Sequence, residues 1–358
     1  MATLAFQQMF AADSKEASAP HCRPLRPDSP DSWKEIIEPV EPFLQTVGSR
    51  LMTQVTAFEP DLAPYAEYAL NGNGKHLRPA LVALTANALG KPTDSHVTVA
   101  VIIEMVHLAT LVHDDVMDEA EIRRGQLTLA ANWGNEIAVL FGDCLFAQAV
   151  KLAASFPTPE ICRAVAVATN TVCSGEILQT QHRRDFQFTR EKYFNVLEMK
   201  TAELFALSCE LSACLSGVGA ETRHALRQFG LAFGTAYQVY DDCVDLFGTE
   251  QIAGKSLGTD LAKGKLTLPV LLAWERADAN DRAALRGLVD SWHNGALTGM
   301  SELLAKYDTL GSSLQVIEEY LKRARDVLAR LPNSNGRDGL GALTGYLLRQ
   351  ADGLGVAA

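Results

Sequence analysis

The sequence predicts an all-α fold, a single-domain helical bundle. Leucines recur at helical spacing, at Leu204, Leu207, Leu211 and Leu215 and again at Leu314, Ile317 and Leu321. Alternating Val, Ile and Thr runs bounded by turns, the mark of strands, are nearly absent. No long linker and no repeat of fixed period divides the chain. About ten to thirteen helices joined by short loops are expected.

The elements follow in order. Residues 1–30 are rich in Ala, Ser, Pro and Asp. They lack a signal peptide's basic start and long apolar centre, and are read as a mobile N-terminal arm before a domain at 31–358. Asn71-Gly72-Asn73-Gly74 is a turn. Gly90-Lys91-Pro92 ends one helix, and Thr93 or Asp94 is placed to cap the next. Pro157 and Pro159 separate two more helices. Residues 248–264 form a glycine-rich loop with Lys255 and Lys263, Lys265 follows directly, and 334–341 is a second such break before a short last helix.

Composition narrows the function. The chain has 358 residues, 47% hydrophobic and 21% charged, which suits a globular protein with a sizeable core. A formal net charge of −11 argues against a nucleic-acid partner but leaves room for local basic clusters that bind phosphates. The long apolar runs near 97–112 and 138–154 are interrupted by Glu104, His107, Asp143 and Lys151, so no membrane span is expected. Seven cysteines without a CxxC pair read as reduced thiols of a cytoplasmic protein.

The chemistry concentrates at LVHDDVMDEAEIRRGQ, residues 111–126. On a helix Asp114 and Asp118 share a face, Asp115 sits about 100° round the axis, and His107 lies two turns back on the same stripe. Carboxylates at ~4 Å repel by about 1 kcal/mol in water and nearer 4 at an effective dielectric of 20. A cation removes that cost, and oxygen-only ligands suit Mg²⁺, which shares itself with phosphate oxygens. The DDxxD spacing returns at Asp241, Asp242 and Asp245. Two such clusters, if they face each other, would grip one diphosphate through several ions.

Counter-charge beyond the metals lies at chain breaks, where backbone N–H groups are also exposed. Lys75 and Arg78 open a helix, Arg123-Arg124 follow the first acidic motif, and Lys255 and Lys265 follow the second. The P-loop look of 248–256 is rejected: five residues separate its glycines where four are required, and no strand precedes it.

With these residues in place the chain resembles the trans-isoprenyl diphosphate synthases, the polyprenyl synthetase family. The resemblance covers about residues 33–351. It rests on GKHLRP at 74–79, HLATLVHDDVMDEAEIRRG at 107–125, GEILQ at 175–179, KTAELF at 200–205, YQVYDDCVDLFG at 237–248 and GKSLGTDLAKGKLTLP at 254–269. It implies an isoprenoid synthase fold, a helical bundle around a central cavity, usually as a homodimer, and head-to-tail condensation of isopentenyl diphosphate onto an allylic diphosphate. It implies Mg²⁺, about three ions per site, held by Asp114, Asp115, Asp118, Asp241, Asp242 and Asp245. By resemblance Arg123, Lys200, Lys255 and Lys265 contact the allylic diphosphate. Lys75, Arg78, His107 and Arg124 form the isopentenyl diphosphate pocket, and Thr201 and Gln238 line the reacting carbon. His76 stands where the family often carries Arg, which touches the strength of that second pocket.

The implied chemistry is an ionisation. Cations stabilise the departing diphosphate, the double bond of isopentenyl diphosphate attacks the allylic cation, and a dry cavity protects it from water. In the family the fourth and fifth positions before the first aspartate help to set product length. Here they are Thr110 and Ala109, both small, so a long-chain product of octaprenyl type is expected, with Phe146 a deeper candidate floor and Ala109→Phe expected to shorten the product. The alternatives are a short-chain farnesyl or geranylgeranyl synthase, a regulatory subunit of a heteromeric synthase, a terpene cyclase and an HD-type metal phosphohydrolase.

Overall fold

The structure, a computed structural model, describes residues 32–70, 76–123, 125–250, 257–293 and 295–355. The expected arm at 1–30, the turn at 71–74, and Lys75, Arg124 and Lys255 lie outside the described residues. The bundle includes α1 (Leu77–Leu89), α2 (Asp94–Met117), α3 (Asn135–Ala154), α4 (Glu160–Gln181), α5 (Arg190–Leu197), α6 (Glu203–Leu215), α7 (Ala220–Phe247), α8 (Leu268–Arg276), α9 (Thr309–Leu328) and α10 (Asn335–Asp352), of which α1 to α7 contribute side chains to the cavity wall. Segments outnumber the about ten to thirteen expected, because short pieces such as Trp33–Ile37, Leu129–Trp133 and Thr259–Ala262 stand beside the long helices.

The core runs along α2 and α7. Val99, Ile102, Ile103, Met105 and Val106 of α2 are buried, as are Phe229, Phe233, Tyr240 and Val244 of α7. Burial on nearly all sides explains why α2 reads as apolar rather than amphipathic. The main-chain N–H of Thr93 donates to His96 Nδ1 at 3.0 Å, which fixes the start of α2.

Two local departures from plain helix matter for the site. Ile122–Arg123 pairs antiparallel with Gln126–Leu127, in register Ile122 with Leu127 and Arg123 with Gln126. Gly125 turns the chain at φ 74°, a conformation glycine adopts without penalty. The second departure is a π-helical turn, Glu198–Ala202, between α5 and α6. Its register is set by close backbone approaches. A Cβ on Gly175 would lie 2.8 Å from Lys200 N, and one on Gly234 would lie 2.7 Å from Ala202 Cα.

One expectation is corrected. Three helices, α2, α3 and α4, are long and apolar enough to cross a membrane by length and composition. The interrupting charges are too few to lower the mean hydropathy of each window. In α2 the apolar window is 83% buried inside the bundle, but in α3 and α4 it is only 39% and 28% buried. Val139, Leu140, Val150, Val167 and Ile177 of these two helices are exposed.

Candidate active site

Both acidic motifs lie at helix C-termini, the negative ends of the helix dipoles. Asp114, Asp115 and Asp118 close α2, and Asp241, Asp242 and Asp245 sit near the end of α7. Carboxylates there meet an unfavourable field, so cations or N–H donors must offset it. The structure supplies both kinds, and Gln238 Nε2 serves Asp241 and Asp242 alike.

On α2, the Arg123 side chain folds back along the hairpin onto Asp115, with Nη2 and Nε at 2.7 and 2.8 Å from Oδ1. Asp118 accepts from Lys265 Nζ at 3.1 Å on one oxygen and from Arg183 Nη2 at 3.3 Å on the other. Lys263 donates to the main-chain carbonyl of the same residue. Burial tends to raise the pKa of Asp118, but the charges of Lys265 and Lys200 outweigh it and hold the carboxyl below its usual value. Asp114 faces Lys200 Nζ at 3.8 Å.

On α7, Asp242 accepts from Gln238 Nε2 at 2.9 Å and from the buried Tyr193 hydroxyl at 2.5 Å. Burial and the neighbouring Asp260 push its pKa up. Asp245 accepts from Thr259 Oγ1 at 2.7 Å and from the main-chain N–H groups of Thr259 and Asp260 at 3.2 and 3.0 Å. It thus caps the short helix Thr259–Ala262.

The π turn presents Lys200 and Thr201 to the space between these walls. Lys200 pairs with Glu176 and donates to Gln179 Oε1 at 3.0 Å, both from α4. Burial would lower its pKa, but the charges of Asp114 and Glu176 raise it, so it stays protonated. Thr201 donates to Gln238 Oε1 at 2.9 Å, linking the π turn to α7.

One cavity of about 410 Å³ joins these parts. Asp114, Asp118, Asp241 and Asp242 line it together with Lys200, Thr201, Gln238 and Lys265. So do Arg78 and His107, the expected second pocket. The guanidinium of Arg78 lies 4.7 Å from the centre of the Phe205 ring, and His76 Nδ1 lies 3.2 Å from Glu104 Oε1. The apolar wall includes Leu111, Phe146, Val172 and Leu197. Thr110 lines the cavity, while Ala109 is fully buried and does not. Asp115, Asp245, Arg123, Arg183 and Lys263 also stand outside its lining, the last two reaching its edge through Asp118.

Several lining or supporting residues escaped the sequence reading. Glu176 and Gln179 sit three apart in the GEILQ motif, a spacing that puts them on one helix face. Asp260 and Lys263 lie inside the last motif. Tyr193 and Arg183 carried no signal, because their partners are distant in sequence.

The donor set is compatible with a hard cation. The acidic oxygens come from two walls, and among the described residues no group of three His, Cys, Asp or Glu side chains encloses a metal alone. That arrangement suits an ion completed by phosphate and water oxygens, the habit of Mg²⁺, better than a closed zinc cage. His113, which an HD-type phosphohydrolase would need as a ligand, instead lies 3.0 Å from the Val139 carbonyl of α3.

A helical bundle whose two acid-tipped helices border one apolar cavity with lysine counter-charges defines a trans-prenyltransferase. Residues 59–300 match the polyprenyl synthetase family, and the chain belongs to that family. It is 32% identical over 312 residues to the octaprenyl diphosphate synthase of Haemophilus influenzae, across 86% of this chain and 94% of that one. A polyprenyl synthase from Caulobacter crescentus, solved with calcium and isoprenyl diphosphate, superposes with a TM-score of 0.83 at 30% identity, over 90% of this chain and 99% of that one. A geranylgeranyl pyrophosphate synthase from Lactobacillus brevis gives a TM-score of 0.80 at 29% identity, over 89% of this chain and all (100%) of that one.

Proposed function

We propose that the chain condenses isopentenyl diphosphate head-to-tail onto an allylic diphosphate, with Mg²⁺, to give an all-trans polyprenyl diphosphate longer than C20. The observation that carries this reading is the meeting of Asp114, Asp118 and Asp241 with Lys200 and Lys265 on one cavity. Of the six motif aspartates these three have the role of holding ions. Asp115, Asp242 and Asp245 hold the frame through Arg123, Tyr193 and Thr259.

Bound Mg²⁺ ions, about three per site, would neutralise charge growing on the leaving diphosphate. The residues do the rest. Lys200 and Lys265, kept cationic, stabilise the same charge from the protein side. Thr201 and Gln238 bond to each other beside the reacting carbon and present oxygen to a developing cation. Arg78 and His107 orient isopentenyl diphosphate. The released diphosphate takes the departing proton, and the apolar wall excludes water.

Chain length is supported by the octaprenyl relative and by the small Thr110 at the first level of the cavity. The fold alone does not distinguish the classes, since a geranylgeranyl synthase superposes almost as well. The exposed apolar faces of α3 and α4 support a homodimer that covers them. The six described cysteines are all free, which favours the reducing cytoplasm.

The test is direct: purified chain, Mg²⁺, labelled isopentenyl diphosphate and farnesyl diphosphate, with products sized by chromatography. Products beyond C20 are expected, absent with chelator, and Asp114→Ala or Asp241→Ala lowers turnover by about 10²–10³-fold. Wild-type turnover in either variant would refute the metal assignment. Products that stop at C20 would refute the chain length alone.

A further inference from the structure

Asp118 has more cations than one carboxylate needs. Lys265 holds one oxygen at 3.1 Å, Arg183 approaches the other at 3.3 Å, and Lys263 donates to the carbonyl. Lys265 belongs to a motif already assigned. Arg183 belongs to none. It sits in the loop between α4 and α5.

That loop is built to hold it. His182 Nδ1 lies 2.8 Å from Asp185 Oδ2, and the His182 ring stacks on Phe188 at 4.9 Å. Asp185 Oδ1 accepts from Gln187 N at 2.9 Å. Phe186 packs on Trp274 at 4.3 Å, under the guanidinium of Arg286. Arg184 adopts φ 59°, costly for a side chain of its size, and its N–H donates to the Gly264 carbonyl at 2.7 Å. This bond ties the loop to the segment that carries Lys263 and Lys265. A strained backbone kept in place by so many contacts points to a position that matters.

Arg183 is also incompletely used. Its Nε is buried and has no hydrogen-bond partner among the described residues. A buried donor without a partner is costly and calls for a ligand or a rearrangement. Its carboxylate partner is one that ions would claim.

We propose that Arg183 is a further diphosphate-binding residue. It balances Asp118 before substrate arrives, and offers its fork of N–H donors to the allylic diphosphate once divalent ions take the Asp118 oxygens. A guanidinium suits this exchange, because its planar fork matches phosphate oxygens as well as carboxylate oxygens. The inference rests on the site being a diphosphate clamp, as proposed above.

The experiment is calorimetric titration of the full chain with inorganic pyrophosphate in Mg²⁺, and with Mg²⁺ alone. Wild type is compared with Arg183→Gln, Arg183→Lys and Lys200→Gln. Arg183→Gln is expected to weaken pyrophosphate binding about tenfold or more and to raise KM for the allylic substrate alike. KM for isopentenyl diphosphate stays put, and Mg²⁺ alone binds no more weakly, since a competitor for Asp118 is gone. Should Arg183→Gln melt early, Arg183→Lys decides: it keeps the charge but loses the fork, and a loss of about threefold or more is expected. Wild-type pyrophosphate affinity in a folded Arg183→Gln, or in Arg183→Lys where Arg183→Gln does not fold, overturns the proposal while the clamp stands if Lys200→Gln loses it. Equal losses of Mg²⁺ and pyrophosphate affinity would make Arg183 a mere prop for Asp118 and overturn it too. A wild-type chain that binds no pyrophosphate with Mg²⁺ condemns the clamp itself.

Discussion

Replacing Gly175 with alanine isolates how the π turn positions Lys200. The added Cβ would lie 2.8 Å from Lys200 N, 2.9 Å from Met199 Cβ and 3.2 Å from Lys200 Cα. Two of these atoms are backbone, so no rotamer change relieves the contact. Ordinary contact begins at 3.4 Å, so α4 and the π turn must separate by about 0.6 Å. Overpacking of this kind costs about 1–3 kcal/mol, and at roughly 2–4 °C per kcal/mol the melting point drops about 2–12 °C. The catalytic effect is of similar size in free energy, since each tenfold in rate is about 1.4 kcal/mol. Productive geometry tolerates about 0.5 Å, and a misplacement of about 1 Å costs about 10²-fold. Lys200 would also move relative to Glu176 and Gln179, which hold it. The expected kcat loss is therefore about 10- to 100-fold.

Steady-state kinetics with both substrates and a thermal melt read the two effects. Gly48→Ala is the control. Nothing lies within 4 Å of its Cβ position and it sits inside the helix Glu41–Thr53, so alanine should stabilise by about 0.4–1 kcal/mol and leave kcat alone. A Gly175→Ala variant with wild-type kcat and melting point would refute the close approach. A lower melting point with unchanged kcat would show that the π turn does not position Lys200.

Two further outcomes follow from the same geometry. Burial and Asp260 raise the pKa of Asp242, so the folded chain keeps a proton that the unfolded chain releases above pH 3.8. Its contribution is favourable below that value and is lost as pH rises through the folded pKa, so in metal-free buffer Asp242→Asn should melt above wild type at pH 8, with the gap closing near pH 4. A gap independent of pH would count against this. Phe146 and Thr110 line the cavity whereas Ala109 is sealed in the core, so Phe146→Ala should lengthen the product and Thr110→Phe should shorten it. Ala109→Phe should chiefly destabilise, and an unchanged product in both cavity variants, sized by chromatography, would defeat the floor assignment.

Most of the helical architecture was legible because its signal is local. The spacing of Leu204, Leu207 and Leu211 survives in a buried helix face, with Leu215 half-buried at its end, and Thr93 does cap α2. The acidic motifs were legible as letters, but not the unlike roles proposed for members of one DDxxD. Asp114 and Asp115 are neighbours, yet one lines the cavity and the other is held by Arg123, through a hairpin that two arginines and a glycine did not announce. Asp242 is held by Tyr193, 49 residues away. The π turn left no trace either, since KTAEL is ordinary helical sequence. Its register comes from two glycines, Gly175 and Gly234, on two other helices.

These long-range pairings share one logic. Acids at the negative ends of two helices are held by Arg123, Lys200, Lys265 and Arg183, by Tyr193 and Gln238, and by main-chain N–H groups. The cation pairs on Asp114 and Asp118 line or border the cavity, where a magnesium diphosphate can exchange partners with them. The pairs on Asp115 and Asp245 lie outside it and have no such exchange. Leaving-group stabilisation then needs little new order at the moment of reaction, because charges of the right sign are already fixed around the space. A site that instead had to gather its cations from solvent-exposed loops would lose much of that advantage to side-chain entropy.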